Sequence, residues 1–377
     1  MNFKVYLVFI AVITLWACGK GEPRAKDAAA ILHVGPHKTG STYLQIQLHG
    51  LSRSLAAIGY CVNGNESSKE PDKLARMLWS ERNEYGFYYN YTHIHECILR
   101  KEIPILSSET FSIFNKPDQF RRLKAVFRNA STHVIIVYRE PLQVYHSIFT
   151  QISKPAKAPK LRFTDYVFDY YHMYGDAFHY KVIDNYVSAY GRDNVTIIDY
   201  DGVQSAQKDI LLVTLCEIIG IMCDVQSNAL KIVNKRPDML PHHIYLLVRN
   251  YMFTMGCQFA TNISPGTISK IIARYSAIVS QVPKKEANLG MLRQMAAHMD
   301  TTVRERYGGI MLYNNASAAA AARASLKVWE VDEVAFMASS TWSAWLRKEG
   351  FKWAKERIVI NCSANVAALS REAPKQA

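Results

Sequence analysis

The sequence has little of what marks fibrous, disordered or metal-binding chains. Its 377 residues include 18 Gly and 13 Pro, too few for collagen-like or low-complexity architecture. None of its seven Cys falls in a C-x-x-C pair or in the Cys/His spacing of a zinc site. Apolar residues make up 49% of the chain, which excludes wholesale disorder. We therefore expect a globular protein that is long enough to bury a large core, with no metal.

Acidic residues are scarce relative to basic ones. The chain has 45 Lys and Arg against 32 Asp and Glu, a formal net charge of +13. Such an excess favours an anionic partner: nucleic acid, an acidic membrane, a polyanionic glycan or a phosphorylated cofactor. No basic module with interleaved aromatics is present, so we expect no nucleic-acid partner.

The uncharged run near the amino terminus is short. Residues 5–18 would span about 21 Å as a helix, less than the roughly 27 Å core of the endoplasmic reticulum membrane. We expect residues 1–18 to be a signal peptide or a short signal anchor, the only membrane contact if it is not cleaved. A buried helix and a bacterial lipoprotein cleavage box are the alternatives.

Glycosylation sequons are frequent, whereas composition predicts roughly two. Seven asparagines lie two residues before Ser or Thr: Asn65, Asn90, Asn129, Asn194, Asn262, Asn315 and Asn361. This number favours a eukaryotic secretory lumen. The six cysteines after Cys18 then allow three disulfides in any of fifteen pairings, although free buried thiols are an alternative.

Short apolar runs alternate with helical stretches along the chain. We predict strands at 30–34, 103–106, 132–138 and 194–199, a helix at 42–51, and a helix that begins near Pro141. This order predicts an α/β fold with a central parallel sheet flanked by helices and with ligands at the carboxyl ends of the strands. We expect a polar stem at 19–29, one domain at 30–311, and a C-terminal extension at 312–377.

Two segments combine groups that hold anions. The first joins a strand to a helix and is made of Gly35, Pro36, His37, Lys38, Thr39, Gly40, Ser41, Thr42 and Tyr43. It offers backbone N–H groups, a lysine and three hydroxyls to a phosphate. It differs from the nucleotide triphosphatase loop, which has Lys directly after the last glycine, where this chain has Ser41. In the second segment, Arg139 follows a strand and Ser147 lies in the next helix, which suits a second phosphate.

Together these segments resemble the sulfotransferase superfamily, whose sulfuryl donor is 3′-phosphoadenosine 5′-phosphosulfate (PAPS). The resemblance implies a P-loop-like sulfotransferase fold of the secretory, Golgi type, and it covers about residues 30–205. It implies that Lys38 contacts the 5′-phosphate, that Thr39, Gly40, Ser41 and Thr42 complete the cradle, and that Arg139 and Ser147 bind the 3′-phosphate. Tyr43 and Tyr200 would approach the adenine; core packing is the alternative for both.

The donor chemistry requires a base for the acceptor hydroxyl. Glu109 follows the second predicted strand and is our candidate; His37 is the second. We predict sulfuryl transfer in the Golgi lumen to a hydroxyl, with a glycan preferred because of the compartment and the charge. A P-loop kinase-like phosphotransferase and a non-catalytic binder of nucleotide or sulfated ligands are the alternatives.

Overall fold

The β-branched apolar segments become strands. In the computed structural model the strands, including several short ones of other composition, are β1 Ala30–Val34, β2 Tyr60–Val62, β3 Ile103–Ser108, β4 Thr132–Tyr138, β5 Val195–Asp199, β6 Gln258–Phe259, β7 Lys284–Glu286, β8 Met311–Leu312, β9 Trp329–Val331 and β10 Val359–Ile360. The structure describes residues 24–35, 40–62, 70–79, 88–152, 162–174, 180–223, 240–260, 263–356 and 358–360.

Helices fill most of the chain between the strands. They are α1 Ser41–Gly50, α2 Ser52–Ala56, α3 Glu70–Trp79, α4 Tyr88–Leu99, α5 Pro117–Val126, α6 Pro141–Ile152, α7 Phe163–Tyr174, α8 Tyr180–Tyr190, α9 Tyr200–Ser205, α10 Ile210–Leu212, α11 Leu240–Thr254, α12 Pro265–Ser276, α13 Gly290–Tyr307, α14 Ala316–Ser325, α15 Glu333–Ala338 and α16 Ser340–Lys355. A 3₁₀ turn at Glu109–Ile113 follows β3, and a π-helix at Val213–Ile219 follows α10.

The chain divides into two compact units. The first comprises residues 1–144, 174–233 and 296–323, and the second comprises 145–173, 234–295 and 324–377. The boundary we expected between residues 311 and 312 lies inside β8, and Ala25 of the expected polar stem is buried in the first unit.

The first unit contains the predicted parallel sheet. Its strand order is β2-β3-β1-β4-β5-β8, and all its pairings are parallel. After β1 the chain forms the edge strand β2 and returns with β3 between β2 and β1, and it then adds β4, β5 and β8 in turn on the other side. The α/β architecture is thus confirmed, and the general rule for open α/β sheets expects a ligand at the carboxyl ends of β1 and β4, where the strand order reverses.

Helices cover both faces of this sheet because its strands are apolar on both faces. Ala30, Leu32 and Val34 join one cluster with residues of α3, α5 and α8, whereas Ile31 joins another with residues of α1, α9 and the π-helix. This alternation is the period of two expected for a strand. Buried on both sides, the sheet gives the strand ends a rigid base.

The second unit has its own helical core. Residues of α11, α12, α15 and α16 form its apolar cluster, and β6 pairs with β10 and β7 with β9, both antiparallel. At its centre the Trp353 indole donates to the hydroxyl of Tyr275, which donates to Glu349. These hydrogen bonds give the buried indole N–H and the buried tyrosine hydroxyl partners within the unit.

Two disulfides link described residues, Cys61–Cys97 and Cys216–Cys223. Within the described ranges, no helix combines the length and apolar character needed to cross a membrane. The run at 5–18 and the sequons at Asn65, Asn262 and Asn361 lie outside the described residues.

Candidate functional site

The loop after β1 begins and ends at nearly the same point in space. A Cβ placed on Gly35 would lie 2.5 Å from the Cβ of Ser41, which is closer than two non-bonded carbon atoms can approach. Only glycine therefore fits at the start of the loop, and Gly40 at its end has a φ of 89°, in the left-handed region that favours glycine. Residues 36–39, which include Lys38 and His37, lie outside the described residues.

Helix α1 begins directly after this loop. Gly40 precedes its first residue and has no side chain with which to cap the helix. The N–H groups of the first turn and the helix dipole therefore favour an anion at this end. The strand before residues 36–39 and the helix after them are both present as predicted.

Glu109 lies beside this helix end. It is the first residue after β3, and its Oε1 accepts hydrogen bonds from Ser41 Oγ at 2.7 Å and from Thr42 Oγ1 at 3.0 Å. The neighbouring Ser108 side chain caps the turn by accepting from the N–H of Thr110, which holds the backbone at Glu109 in place. The candidate base and two residues of the candidate cradle are therefore in direct contact.

A buried histidine lies in β1, two residues before Gly35. His33 of β1 is 1% exposed, and its Nδ1 lies 2.7 Å from Ser107 Oγ on β3. Burial lowers the pKa of His33 to about 4, against the opposing effect of the Glu109 charge. The imidazole is therefore neutral at physiological pH, and its hydrogen bond joins the ends of β1 and β3.

Arg139 and the loop meet at Tyr200. Arg139 is the first residue after β4, and its Cζ lies 5.0 Å from the centroid of the Tyr200 ring. A Cβ placed on Gly40 would lie 3.1 Å from Cε2 of the same ring. The end of the loop and the candidate 3′-phosphate arginine therefore both contact one aromatic ring at the carboxyl edge of the sheet.

Buried charges hold the ends of β4 and β5, which Arg139 and Tyr200 directly follow. Arg304 of α13 donates to Asp199 at 2.6 Å and to Asp300 at 2.9 Å. Although burial lowers the pKa of Arg304, the hydrogen bonds and charges of these two carboxylates outweigh it and raise that pKa overall. Arg323 of α14 pairs with Asp300 at 3.1 Å and with Glu140 at 2.9 Å.

The same network also includes residues that are next to Arg139 and Tyr200 in the sequence. The N–H of Glu140 donates to Asp201 Oδ2 at 2.8 Å, which ties the residue after Arg139 to the residue after Tyr200. Burial raises the pKa of Asp201, while the charge of Arg139 acts in the opposite direction. Arg304 and Arg323 cannot be identified from the sequence, because nothing local marks an arginine in a late helix as a partner of β5. The one available signal was Asp199 at the end of a buried strand.

The remaining predicted residues fall in several places. Tyr43 is partly buried, and its hydroxyl donates to Asp209 Oδ2 at 2.6 Å. Ser147 lies in α6, in the part of that helix that belongs to the second unit, so its role at the 3′-phosphate stays a prediction. The roles of Pro36, His37, Lys38 and Thr39 also stay predictions.

A scan against protein-family models finds no match, and a search of curated proteins finds none either. Among solved structures, a sulfotransferase from Alicyclobacillus acidocaldarius is similar at 14% identity and a TM-score of 0.36, over 69% of this chain and 96% of that one. A likeness this distant does not assign an activity to the chain.

Proposed function

We propose that this protein is a sulfotransferase that transfers the sulfuryl group of PAPS to an acceptor hydroxyl. The observation that carries the proposal is the position of Tyr200, whose ring contacts both Gly40 and Arg139. A ligand with phosphates at opposite ends of an adenosine needs two anion-binding segments separated by an aromatic surface. Arg139 and the helix end after Gly40 supply this arrangement.

The first segment would hold the 5′ end of the donor. The N–H groups at the start of α1 and the hydroxyls of Ser41 and Thr42 would donate to its phosphate oxygens. Lys38, assigned from sequence, would place its ammonium at the bridging oxygen. That charge would stabilise the negative charge that develops on the leaving phosphate.

The second segment would hold the 3′ end. The guanidinium of Arg139 suits a phosphate because its donors form a planar fork. The Tyr200 ring, which the guanidinium of Arg139 contacts, would pack against the adenine. The network of Arg304 and Arg323 would keep both side chains in place before the ligand arrives.

Glu109 would act as the base in the transfer step. Its carboxylate takes the proton of the acceptor hydroxyl while the acceptor oxygen forms a new bond to sulfur. The bond between sulfur and the bridging oxygen breaks, and its electron pair stays on the 5′-phosphate of adenosine 3′,5′-bisphosphate. Carboxylate, helix end and hydroxyls already lie at the same carboxyl edge of the sheet.

The acceptor and the compartment rest on sequence alone. The net charge of +13 and the seven sequons favour an anionic glycan acceptor in the secretory pathway, with the Golgi lumen as the expected site. An enzyme digest that removes N-linked glycans would test the compartment, because a lower apparent mass after digestion requires passage through that pathway.

Ligand-dependent thermal unfolding tests the donor. Adenosine 3′,5′-bisphosphate should raise the melting temperature by mass action, and ATP with magnesium should do so far less. The reverse order would favour a kinase-like phosphotransferase. Incubation with labelled PAPS and a panel of polysaccharides, glycoproteins and small alcohols should then label an acceptor. Binding with no labelled product from any of them would favour a non-catalytic binder.

A further inference from the structure

The carboxylate of Glu109 accepts the hydrogen bonds of the two hydroxyls that the sulfuryl donor PAPS would need. Ser41 Oγ and Thr42 Oγ1 both donate to Glu109 Oε1, at 2.7 Å and 3.0 Å. These residues are the first two of α1, at the end of the helix where the dipole favours a negative charge. The chain thus supplies its own anion at its candidate anion site.

A hydroxyl has a single hydrogen to donate. While Ser41 and Thr42 donate to Glu109, they cannot also donate to a phosphate oxygen. A phosphate at the start of α1 would in addition be repelled by a carboxylate in contact with the same two residues. The ligand and Glu109 therefore compete for one set of donors.

We infer that Glu109 is an internal competitor of the donor, and that donor binding releases its carboxylate to act on the acceptor. This inference rests on the proposed function. Hydrogen-bond donors stabilise a carboxylate in its charged form, so a carboxylate that loses them accepts a proton more readily. Binding is then ordered: the donor takes the two hydroxyls first, and only afterwards is the base available to the acceptor hydroxyl.

This role differs from that of a simple base in its effect on donor affinity. Removal of a simple base lowers the rate of transfer and leaves donor binding unchanged. Removal of a competitor tightens donor binding even though transfer is lost. Affinity for the product nucleotide, which carries the 5′-phosphate and cannot react, separates the two.

Titration calorimetry with adenosine 3′,5′-bisphosphate on the full chain provides the test. Glu109→Ala should bind the nucleotide about tenfold more tightly than wild type, because charge repulsion and competition are both removed. Glu109→Gln should show a smaller gain, since its amide oxygen still accepts from the hydroxyls. The matched control is Glu102→Ala, just before the other end of β3, where the carboxylate pairs with Arg100 at 2.8 Å. It should bind as wild type does.

A double-mutant cycle adds a measurement that does not change when a variant only alters the stability of the fold. Ser41→Ala should weaken nucleotide binding at least threefold more in the Glu109→Ala background than in wild type, because only there is the hydroxyl uncommitted before the ligand arrives. Wild-type or weaker affinity in both Glu109 variants, or additive effects in the cycle, would overturn the inference and leave the proposed function standing. Absence of nucleotide binding to wild type and variants alike would overturn the proposed function itself.

Discussion

The buried network around Arg304 offers a sharp test of how the site is held. The Arg304 side chain is 7% exposed, and its partners Asp199 and Asp300 are 0% and 6% exposed. The change Arg304→Met keeps much of the apolar volume and removes the guanidinium. Asp199 is then left in the core without its cation, whereas Asp300 keeps Arg323.

The expected loss follows from the burial of these charges. Removal of one partner of a buried ion pair costs roughly 3–5 kcal/mol, because the remaining charge is uncompensated. Arg306→Met is the matched control, two residues further along the same helix. Its pair with Asp184 involves a side chain that is 55% exposed, so its loss should stay within about 1 kcal/mol.

Hydrogen exchange of the amides in β4 and β5 gives the free energy of unfolding for the first unit alone. Arg304→Lys keeps the charge but not the planar fork, so its free energy of unfolding should fall by an intermediate amount. This variant replaces Arg304→Met in the comparison if the methionine variant does not fold. Equal losses in Arg304→Met and Arg306→Met would refute the claim that the network holds these strand ends.

Three further outcomes follow from individual residues. Gly40→Ala forces alanine into a φ of 89° and brings its Cβ to 3.1 Å from the Tyr200 ring. The affinity for adenosine 3′,5′-bisphosphate, measured by calorimetry, should therefore fall several-fold. Unchanged affinity would show that the Tyr200 ring is not part of the nucleotide site. For His33, the folded pKa of about 4 lies below the ordinary 6.5, so the unfolded chain binds a proton that the folded chain does not between these values. The free energy of unfolding should therefore fall by about 1.4 kcal/mol per pH unit on acidification through this range, and His33→Asn should remove this contribution. Urea titrations of both proteins at pH 7, 5.5 and 4.5 measure this dependence. An equal change of unfolding free energy with pH in both proteins would contradict the prediction. If the chain enters the secretory lumen, the exposed Asn129 should be glycosylated and Asn315 should not. The reason is that the Asn315 Oδ1 accepts a hydrogen bond from the Ala318 N–H at the start of α14. A glycosylated Asn315 in glycopeptide mass spectrometry would contradict this.

The central strands could be predicted because their signal is local. β1 and β4 are found at 30–34 and 132–138 as expected, and α6 begins at Pro141. Runs of β-branched residues that end at a glycine or proline carry this information in a few positions. The loop after β1 and the glutamate after β3 could be placed at one edge for the same reason, since parallel strands end on the same side.

The rest of the first unit depends on contacts that no short window contains. β8 has only two residues, Met311 and Leu312, and it is a strand because β5 offers an open edge. Its pairing brings α13 and α14 to the sheet, and with them Arg304 and Arg323. From the sequence alone, residues 312–377 are expected to form an extension, because the alanine-rich helix α14 has no visible partner until β8 is known.

Binding of two nucleotides to three variants tests the central claim most directly. Wild type should prefer adenosine 3′,5′-bisphosphate over adenosine 5′-monophosphate, which lacks the 3′-phosphate. Arg139→Ala should lose this preference, whereas Lys38→Ala should weaken both nucleotides and keep it. Arg121→Ala, on the exposed surface of α5, should match wild type. An Arg139→Ala protein that retains the wild-type preference would contradict the claim that the segments after β1 and β4 hold opposite ends of one adenosine.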